Sequence, residues 1–142
     1  MRILFIDDDI YRSSSLVDLM TLKTGWEIIQ VSSVSDAISA LEDNKVQFDC
    51  ILIDIMIPIT ENESQLIGNT NNGQSTGIML IDYFHDRLDL NIPIIVLTVI
   101  RGLSDTLLSK NNVIAYLCKP ITADDLINII KKKIKTATNK EV

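Results

Sequence analysis

The stretch Phe48-Asp49-Cys50-Ile51-Leu52-Ile53-Asp54-Ile55-Met56-Ile57-Pro58 constrains the fold more than any other part of the chain. Ile51 to Ile53 is continuously apolar, the pattern of a parallel strand covered on both faces. The run leads straight into a carboxylate, Asp54, and Pro58 then ends any regular continuation. An ionisable group at the end of an interior strand costs desolvation energy unless something uses or pairs it. In open α/β sheets the carboxyl ends of the strands are where ligands bind. Asp54 is therefore the first candidate functional residue.

The rest of the chain repeats this unit. Ile3 to Ile6 is apolar and stops at Asp7-Asp8-Asp9; Leu16, Leu19 and Met20 then fall at helical spacing, with Gly25 placed to end the helix. Trp26 to Val31 reads as a second strand. Ser33 and Asp36 resemble a capping box ahead of Val34, Ala37, Ile38 and Leu41, which share one helical face. After the Asp54 strand, Leu80, Ile81, Phe84 and Leu88 line a helix that begins near Ser75-Thr76-Gly77. Ile92 to Leu97 forms a fourth strand ending at Thr98. Ser104-Asp105 caps a short helix with Leu107 and Leu108, and Val113 to Leu117 is a fifth strand running into Cys118, Lys119 and Pro120. Thr122 caps the last helix, whose acids Asp124 and Asp125 and terminal Lys131, Lys132 and Lys133 suit the helix dipole, with Leu126, Ile129, Ile130 and Ile134 as its buried face.

Five strands alternating with five helices predict an α/β fold: a five-stranded parallel sheet, doubly wound and flavodoxin-like, in the order 2-1-3-4-5. The chain reads as one domain over residues 1–142, interrupted by an insertion after the third strand at about 59–76. That insertion is polar and rich in Asn, with Leu66-Ile67 as its only apolar pair. It holds little to offset the entropy of ordering, so a mobile loop is expected.

Charge and hydropathy exclude several function classes. A net charge of −6 argues against nucleic-acid binding, which needs a basic surface. No apolar run approaches the length needed to span a bilayer, and the apolar start is too short before its acids for a signal peptide. Cys50 and Cys118, both inside apparent strands, fit reduced structural thiols in a cytoplasmic protein. His85 is the only histidine and reads as a solvated helix position, which leaves little room for histidine-based chemistry.

The predicted strand order gathers Asp7, Asp8, Asp54, Thr98 and Lys119 at one edge. Carboxylates about 5 Å apart repel by roughly 3 kcal/mol per pair at an effective dielectric near 20. A cation offsets this, and oxygen ligands with room for water suit Mg²⁺. A lysine and a hydroxyl at the same rim are suited to holding phosphoryl oxygens. The set reads as a carboxylate nucleophile, a metal and two stabilisers for phosphoryl transfer.

Four blocks, in order, resemble the response-regulator receiver domains of two-component signalling: Ile-Leu-Phe-Ile-Asp-Asp-Asp at 3–9, Ile-Leu-Ile-Asp-Ile-Met-Ile-Pro at 51–58, Ile-Pro-Ile-Ile-Val-Leu-Thr at 92–98 and Ala-Tyr-Leu-Cys-Lys-Pro at 115–120. The resemblance covers the chain from end to end. It implies that Asp54 accepts a phosphoryl group from a histidine kinase or histidine phosphotransfer protein. It implies that Asp7, Asp8, Asp54 and the backbone carbonyl of Met56 hold Mg²⁺. It implies that Thr98 and Lys119 contact the phosphoryl group, and that Thr98 and Tyr116 form a switch read by a downstream protein. Such a chain catalyses only its own phosphorylation and dephosphorylation, and contacts neither nucleic acid nor membrane.

Two positions depart from the family pattern. Gly77, which opens the next helix, follows Asp54 by 23 residues, far more than the family's spacing, and Val99 stands where the family has a smaller residue. A branched side chain there is expected to narrow access to Asp54. The runner-up reading is a haloacid-dehalogenase-type phosphatase with Asp7 and Asp9 as its acid pair and Thr98 and Lys119 in support; it leaves Asp54 without a role and puts Asp124-Asp125 in a helix start. A phosphate-independent receiver-like interaction module is the third. Residues 136–142 show no pattern of a further domain, so the chain is expected to be either a stand-alone receiver or a piece of a longer one.

Overall fold

The computed structural model describes residues 1–140, the last five of them as helical backbone. The elements in chain order are β1 (Arg2–Ile6), α1 (Ile10–Thr24), β2 (Glu27–Val31), α2 (Val34–Glu42), β3 (Cys50–Ile53), α3 (Glu61–Ile67), α4 (Thr76–Asp86), β4 (Ile94–Thr98), α5 (Ser104–Leu108), β5 (Val113–Cys118) and α6 (Ala123–Lys140). The five strands are parallel and lie in the order β2-β1-β3-β4-β5, as the sequence predicts. β1, β3 and β4 are buried almost throughout, which is why they read as unbroken apolar runs.

Side chains alternate across the sheet and build two cores. Leu4, Ile6, Ile51, Ile53 and Val96 face α2, α3, α4 and α5 through Val34, Ile38, Ile67, Leu80, Phe84 and Leu107. Ile3, Phe5, Leu52, Ile95 and Leu97 face α1 and α6 through Val17, Met20, Leu126, Ile127 and Ile130. Cys50 belongs to this second core, and burial pushes its thiol up to about 12, so it stays an inert packing group; both cysteines are free.

Several local expectations hold. Ser33 Oγ accepts from the Asp36 N–H, Gly25 ends α1 at φ 73°, and Thr122 Oγ1 accepts from the Asp125 N–H. Others shift. On α1 the buried residues are Ser13, Val17 and Met20, while Leu19 is exposed. Leu103, not Ser104, stands at the N-cap of α5, without a side-chain cap. α6 continues to Lys140, and residues 141–142 lie outside the described residues.

The main correction concerns the insertion and with it the helix count, which is six among the described residues rather than five. Residues 59–76 are not an open loop. Thr60 and Glu63 form a full capping box: Thr60 Oγ1 accepts from the Glu63 N–H at 3.2 Å, and Glu63 Oε1 accepts from the Thr60 N–H at 2.9 Å. Glu63 Oε2 also accepts from both the N–H and the hydroxyl of Ser35, each at 2.8 Å, which ties α3 to the start of α2. Ile67 docks in the core while Leu66 remains exposed. Thr70 folds the returning turn, accepting from the Gly73 and Ser75 N–H groups, and Thr76 Oγ1 donates to the Ile57 carbonyl at 2.5 Å. Polar groups held by several hydrogen bonds supply the order that apolar burial does not.

Glu63 is the keystone of this arrangement. Burial works to raise its carboxyl, but the hydrogen bonds from Thr60 and Ser35 outweigh burial and hold it below the ordinary range. Its contribution to stability is therefore present above the unfolded carboxyl value and is lost as pH falls through the lowered folded one. Glu63→Ala strips both ties and is expected to lower stability by about 2 kcal/mol at neutral pH. Denaturant midpoints measure this loss. Limited proteolysis should find Asn69 to Ser75 protected in the wild type and cut in the variant; equal cleavage would show that Glu63 does not order the insertion.

Candidate functional site

Strand register builds the site. Ile6 pairs with Ile53, so Asp7 and Asp54 leave neighbouring strands at the same level, with the Asp54 N–H donating to the Ile6 carbonyl at 3.0 Å. Thr98 pairs with Cys118, which puts Lys119 one residue beyond Thr98 on the next strand, its N–H donating to the Thr98 carbonyl at 2.8 Å. α4 is pressed against the backbone beneath Asp54. A Cβ on Gly77 would collide with the Asp54 carbonyl, so only glycine fits there, and the Gly77 N–H donates to the Ile55 carbonyl.

The centre is a shared ammonium group. Lys119 Nζ lies 2.6 Å from Asp7 Oδ2 and 3.1 Å from Asp54 Oδ2. Asp7 is 2% exposed and Asp54 is 7% exposed, so both carboxylates depend on these partners. Asp7 Oδ1 accepts from the Asp9 N–H at 2.9 Å, and its Oδ2 accepts from the Ser13 hydroxyl at 3.3 Å. Asp54 Oδ1 accepts from the Ile55 N–H at 2.7 Å and more weakly from the Met56 N–H at 3.4 Å. Burial alone would lower the Lys119 ammonium value, but the hydrogen bonds and charges of Asp7 and Asp54 outweigh it and raise the value above the ordinary one.

Asp8 stands exposed beside this pair. Partial burial, and then the Asp7 charge, raise its carboxyl above the ordinary range. Asp7, Asp8 and Asp54 each offer a carboxylate oxygen within 4.8 Å of the others. Three hard oxygen donors, one open to water, fit a small hard cation such as Mg²⁺ better than a metal that prefers nitrogen or sulfur. Met56 lies in the turn just past Asp54 with its side chain 45% exposed. Asp9 does not join the cluster: its side chain caps α1 by accepting from the Arg12 N–H at 3.1 Å, which removes the acid pair the phosphatase reading requires. Val99 is 62% exposed and lines, with Ser13, Leu16 and Lys119, a cavity of about 450 Å³ on the α1 side of the site. His85 sits away from the site, bonded to Asp86 and Asn111.

Thr98 and Tyr116 are linked through Ile100, a residue that sequence reasoning misses. The buried Thr98 hydroxyl accepts from the Ile100 N–H at 3.3 Å, and the Ile100 carbonyl accepts from the Tyr116 hydroxyl. The Cys118 thiol points to the same carbonyl at 3.8 Å. Burial raises the Tyr116 phenol above its ordinary value, so it is a proton donor here at neutral pH. Ser13 is missed in the same way, because nothing marks one serine among Ser13, Ser14 and Ser15 as the inward one except its place on the Val17–Met20 face.

A pH dependence follows from Asp8. Its raised value means the folded chain holds the proton more tightly than the unfolded one, so stability falls as pH rises from the ordinary carboxyl value through the raised one. Asp8→Asn removes that loss and is expected to raise metal-free stability at neutral pH by roughly 0.5 kcal/mol, the scale of exposed charge interactions. Mg²⁺ should raise the wild-type melting temperature by binding the native state, and should raise that of the variant far less. Melting curves across pH, with and without Mg²⁺, test both; an equal Mg²⁺ shift in the two proteins would reject Asp8 as a ligand.

Comparison with known proteins gives a consistent picture. No protein-family model and no curated protein sequence matches the chain. Solved structures do. A CheY-like response regulator receiver domain protein from Methanospirillum hungatei is 24% identical, with a TM-score of 0.74 over 98% of this chain and 97% of that one. The signal receiver domain of a Luxo repressor protein from Vibrio parahaemolyticus is 22% identical, with a TM-score of 0.74 over 99% and 94%. A response regulator receiver domain protein from Clostridium thermocellum is 22% identical, with a TM-score of 0.70 over 96% of each chain. With its 2-1-3-4-5 parallel sheet matched along nearly the whole length of these structures, the chain has the fold of the response-regulator receiver domains.

Proposed function

We propose that this chain is a phosphoacceptor receiver of a two-component phosphorelay, taking a phosphoryl group on Asp54 from a histidine kinase or histidine phosphotransfer protein in the cytoplasm. The observation that carries this reading is the single Lys119 ammonium shared by the buried Asp7 and Asp54 carboxylates at the sheet edge. Asp54 Oδ1 is held by the Ile55 N–H, so Oδ2, which faces Lys119, is the oxygen presented to a donor. In the transfer an Asp54 oxygen bonds to phosphorus as the P–N bond of the phosphohistidine breaks, its electron pair leaving on the imidazole. Lys119 turns from Asp54 to a phosphoryl oxygen and stabilises the charge there. Asp7, Asp8, Asp54 and the Met56 carbonyl would hold Mg²⁺, which supplies charge neutralisation at the phosphoryl group. The chain processes no substrate beyond its own phosphorylation and dephosphorylation.

The output follows from the Thr98–Ile100–Tyr116 chain. Turning the Thr98 hydroxyl toward a phosphoryl oxygen takes it off the Ile100 N–H and loosens the strand-to-helix connection that Tyr116 holds. The phosphoryl group thereby biases a two-state surface over α5, β5 and the start of α6, which a downstream protein reads.

Incubation with acetyl phosphate and Mg²⁺, followed by intact mass and peptide mapping, tests the reading. One phosphoryl group is expected on Asp54, and none in Asp54→Asn; modification of Asp7 instead would support the phosphatase alternative. Thr98→Ala should leave Asp54 able to accept the group while uncoupling the surface. Amide chemical shifts over residues 99–118 that respond to phosphorylation identically in wild type and Thr98→Ala would refute the relay.

A further inference from the structure

We infer that Ser13 is a positioning residue for Asp7, the donor that keeps this carboxylate in place when Lys119 turns to the phosphoryl group. The inference rests on the phosphoacceptor reading. Ser13 occupies the inward face of α1 with Val17 and Met20, a face where burial favours an apolar residue. A buried hydroxyl there is unfavourable unless it finds a partner, and a helical serine ordinarily finds one in the carbonyl four residues back. Here the Asp9 carbonyl accepts the Ser13 N–H at 3.0 Å, and the hydroxyl instead reaches out of the helix to Asp7 Oδ2.

Asp7 has three donors at its two oxygens: Lys119 and Ser13 on Oδ2, and the Asp9 N–H on Oδ1. Lys119 is the donor drawn away: the ammonium that turns from Asp54 to the incoming phosphoryl group moves off Asp7 with it. Once it turns, Oδ2 keeps only Ser13. Two protein donors, one on each oxygen, fix the plane in which the carboxylate would meet Mg²⁺; with one donor that plane is less well set. The resting distance of 3.3 Å is long for a hydroxyl facing a carboxylate, which leaves room for the bond to shorten as the ammonium withdraws. Ser13 also borders the cavity of about 450 Å³ beside α1.

Two measurements on the full chain separate this role from simple packing. Calorimetric titration with Mg²⁺ reads the resting site, where Lys119 still holds Asp7; Ser13→Ala should change that affinity by less than about threefold. The Mg²⁺ concentration that half-saturates phosphorylation of Asp54 by acetyl phosphate reads the site after Lys119 has turned. There Ser13→Ala should require about tenfold more Mg²⁺, the low end of the cost of removing a hydrogen-bond partner from a metal-ligating group. Ser13→Thr keeps the hydroxyl and should restore the wild-type value. An unchanged half-saturation in Ser13→Ala, or an increase that Ser13→Thr fails to reverse, would overturn the positioning role. Failure of the phosphoacceptor reading itself appears separately, as a wild-type chain that takes no phosphoryl group on Asp54, and the inference would fall with it.

Discussion

Asp7 and Asp54 end adjacent strands at the same level, both are buried, and one ammonium group from Lys119 serves both. Two such carboxylates at about 5 Å repel by roughly 3 kcal/mol at an effective dielectric near 20, and burial penalises each charge further. Lys119 offsets that repulsion, and the sheet itself delivers the lysine. It follows β5, whose Thr98–Cys118 register with β4 sets its level against the acids. The Gly77 contact fixes the backbone beneath Asp54 from the other side. Sheet order, strand register and the α4 approach are thus read out at one nitrogen atom.

A cation shared between two anions is also easy to redistribute. Each carboxylate keeps backbone or hydroxyl donors of its own, so moving the ammonium costs neither one all of its partners. On the phosphoacceptor reading, this makes Lys119 the mobile member of a fixed acid frame. The Thr98 hydroxyl has the same character: it accepts one hydrogen bond of 3.3 Å, from the residue whose carbonyl anchors Tyr116. The Thr98 bond can be exchanged at small cost, whereas the cost of moving Lys119 is offset only by what the ammonium gains at a phosphoryl oxygen.

What is legible in the sequence follows from what holds each part together. Runs such as Ile51 to Ile53 and Ile94 to Leu97 announce strands because burial on both faces tolerates nothing else, and the acids, threonine and lysine at their ends stand out against that apolar background. The strands, and the acids, threonine and lysine at their ends, can therefore be read from the order of residues, whereas the 2-1-3-4-5 order is a choice among the few topologies that right-handed crossovers allow, one the sheet bears out. α3 cannot, because its order comes from hydrogen bonds among polar residues, and a polar composition reads as a loop. The signal is present all the same: Thr60-Glu61-Asn62-Glu63 is a capping-box pattern. Ser13 and Ile100 are hidden for another reason. A serine among serines and an isoleucine in a turn gain their meaning from the partner they meet, Asp7 in one case and Tyr116 in the other.

The buried polar residues among those described fall into two groups with different mechanical character. Asp7, Ser13, Asp54 and Thr98 surround the site, while Glu63, Thr70 and Thr76 belong to the insertion. In the insertion, the Glu63 carboxylate bonds to Thr60 and Ser35, and Thr70 and Thr76 bond backbone groups of the returning turn and of Ile57. Its ends meet at the Ile55–Ile57 turn, so its length adds only a slowly growing closure entropy while its stem stays fixed. The insertion is held by several hydrogen bonds at once, while on the β4–β5 side the Thr98 hydroxyl accepts a single bond of 3.3 Å from the Ile100 N–H, next to the Tyr116 and Lys119 contacts. On the phosphoacceptor reading, a charge placed on Asp54 would be passed toward α5 and β5 through Thr98, with the hydrogen-bonded insertion on the opposite side of the site.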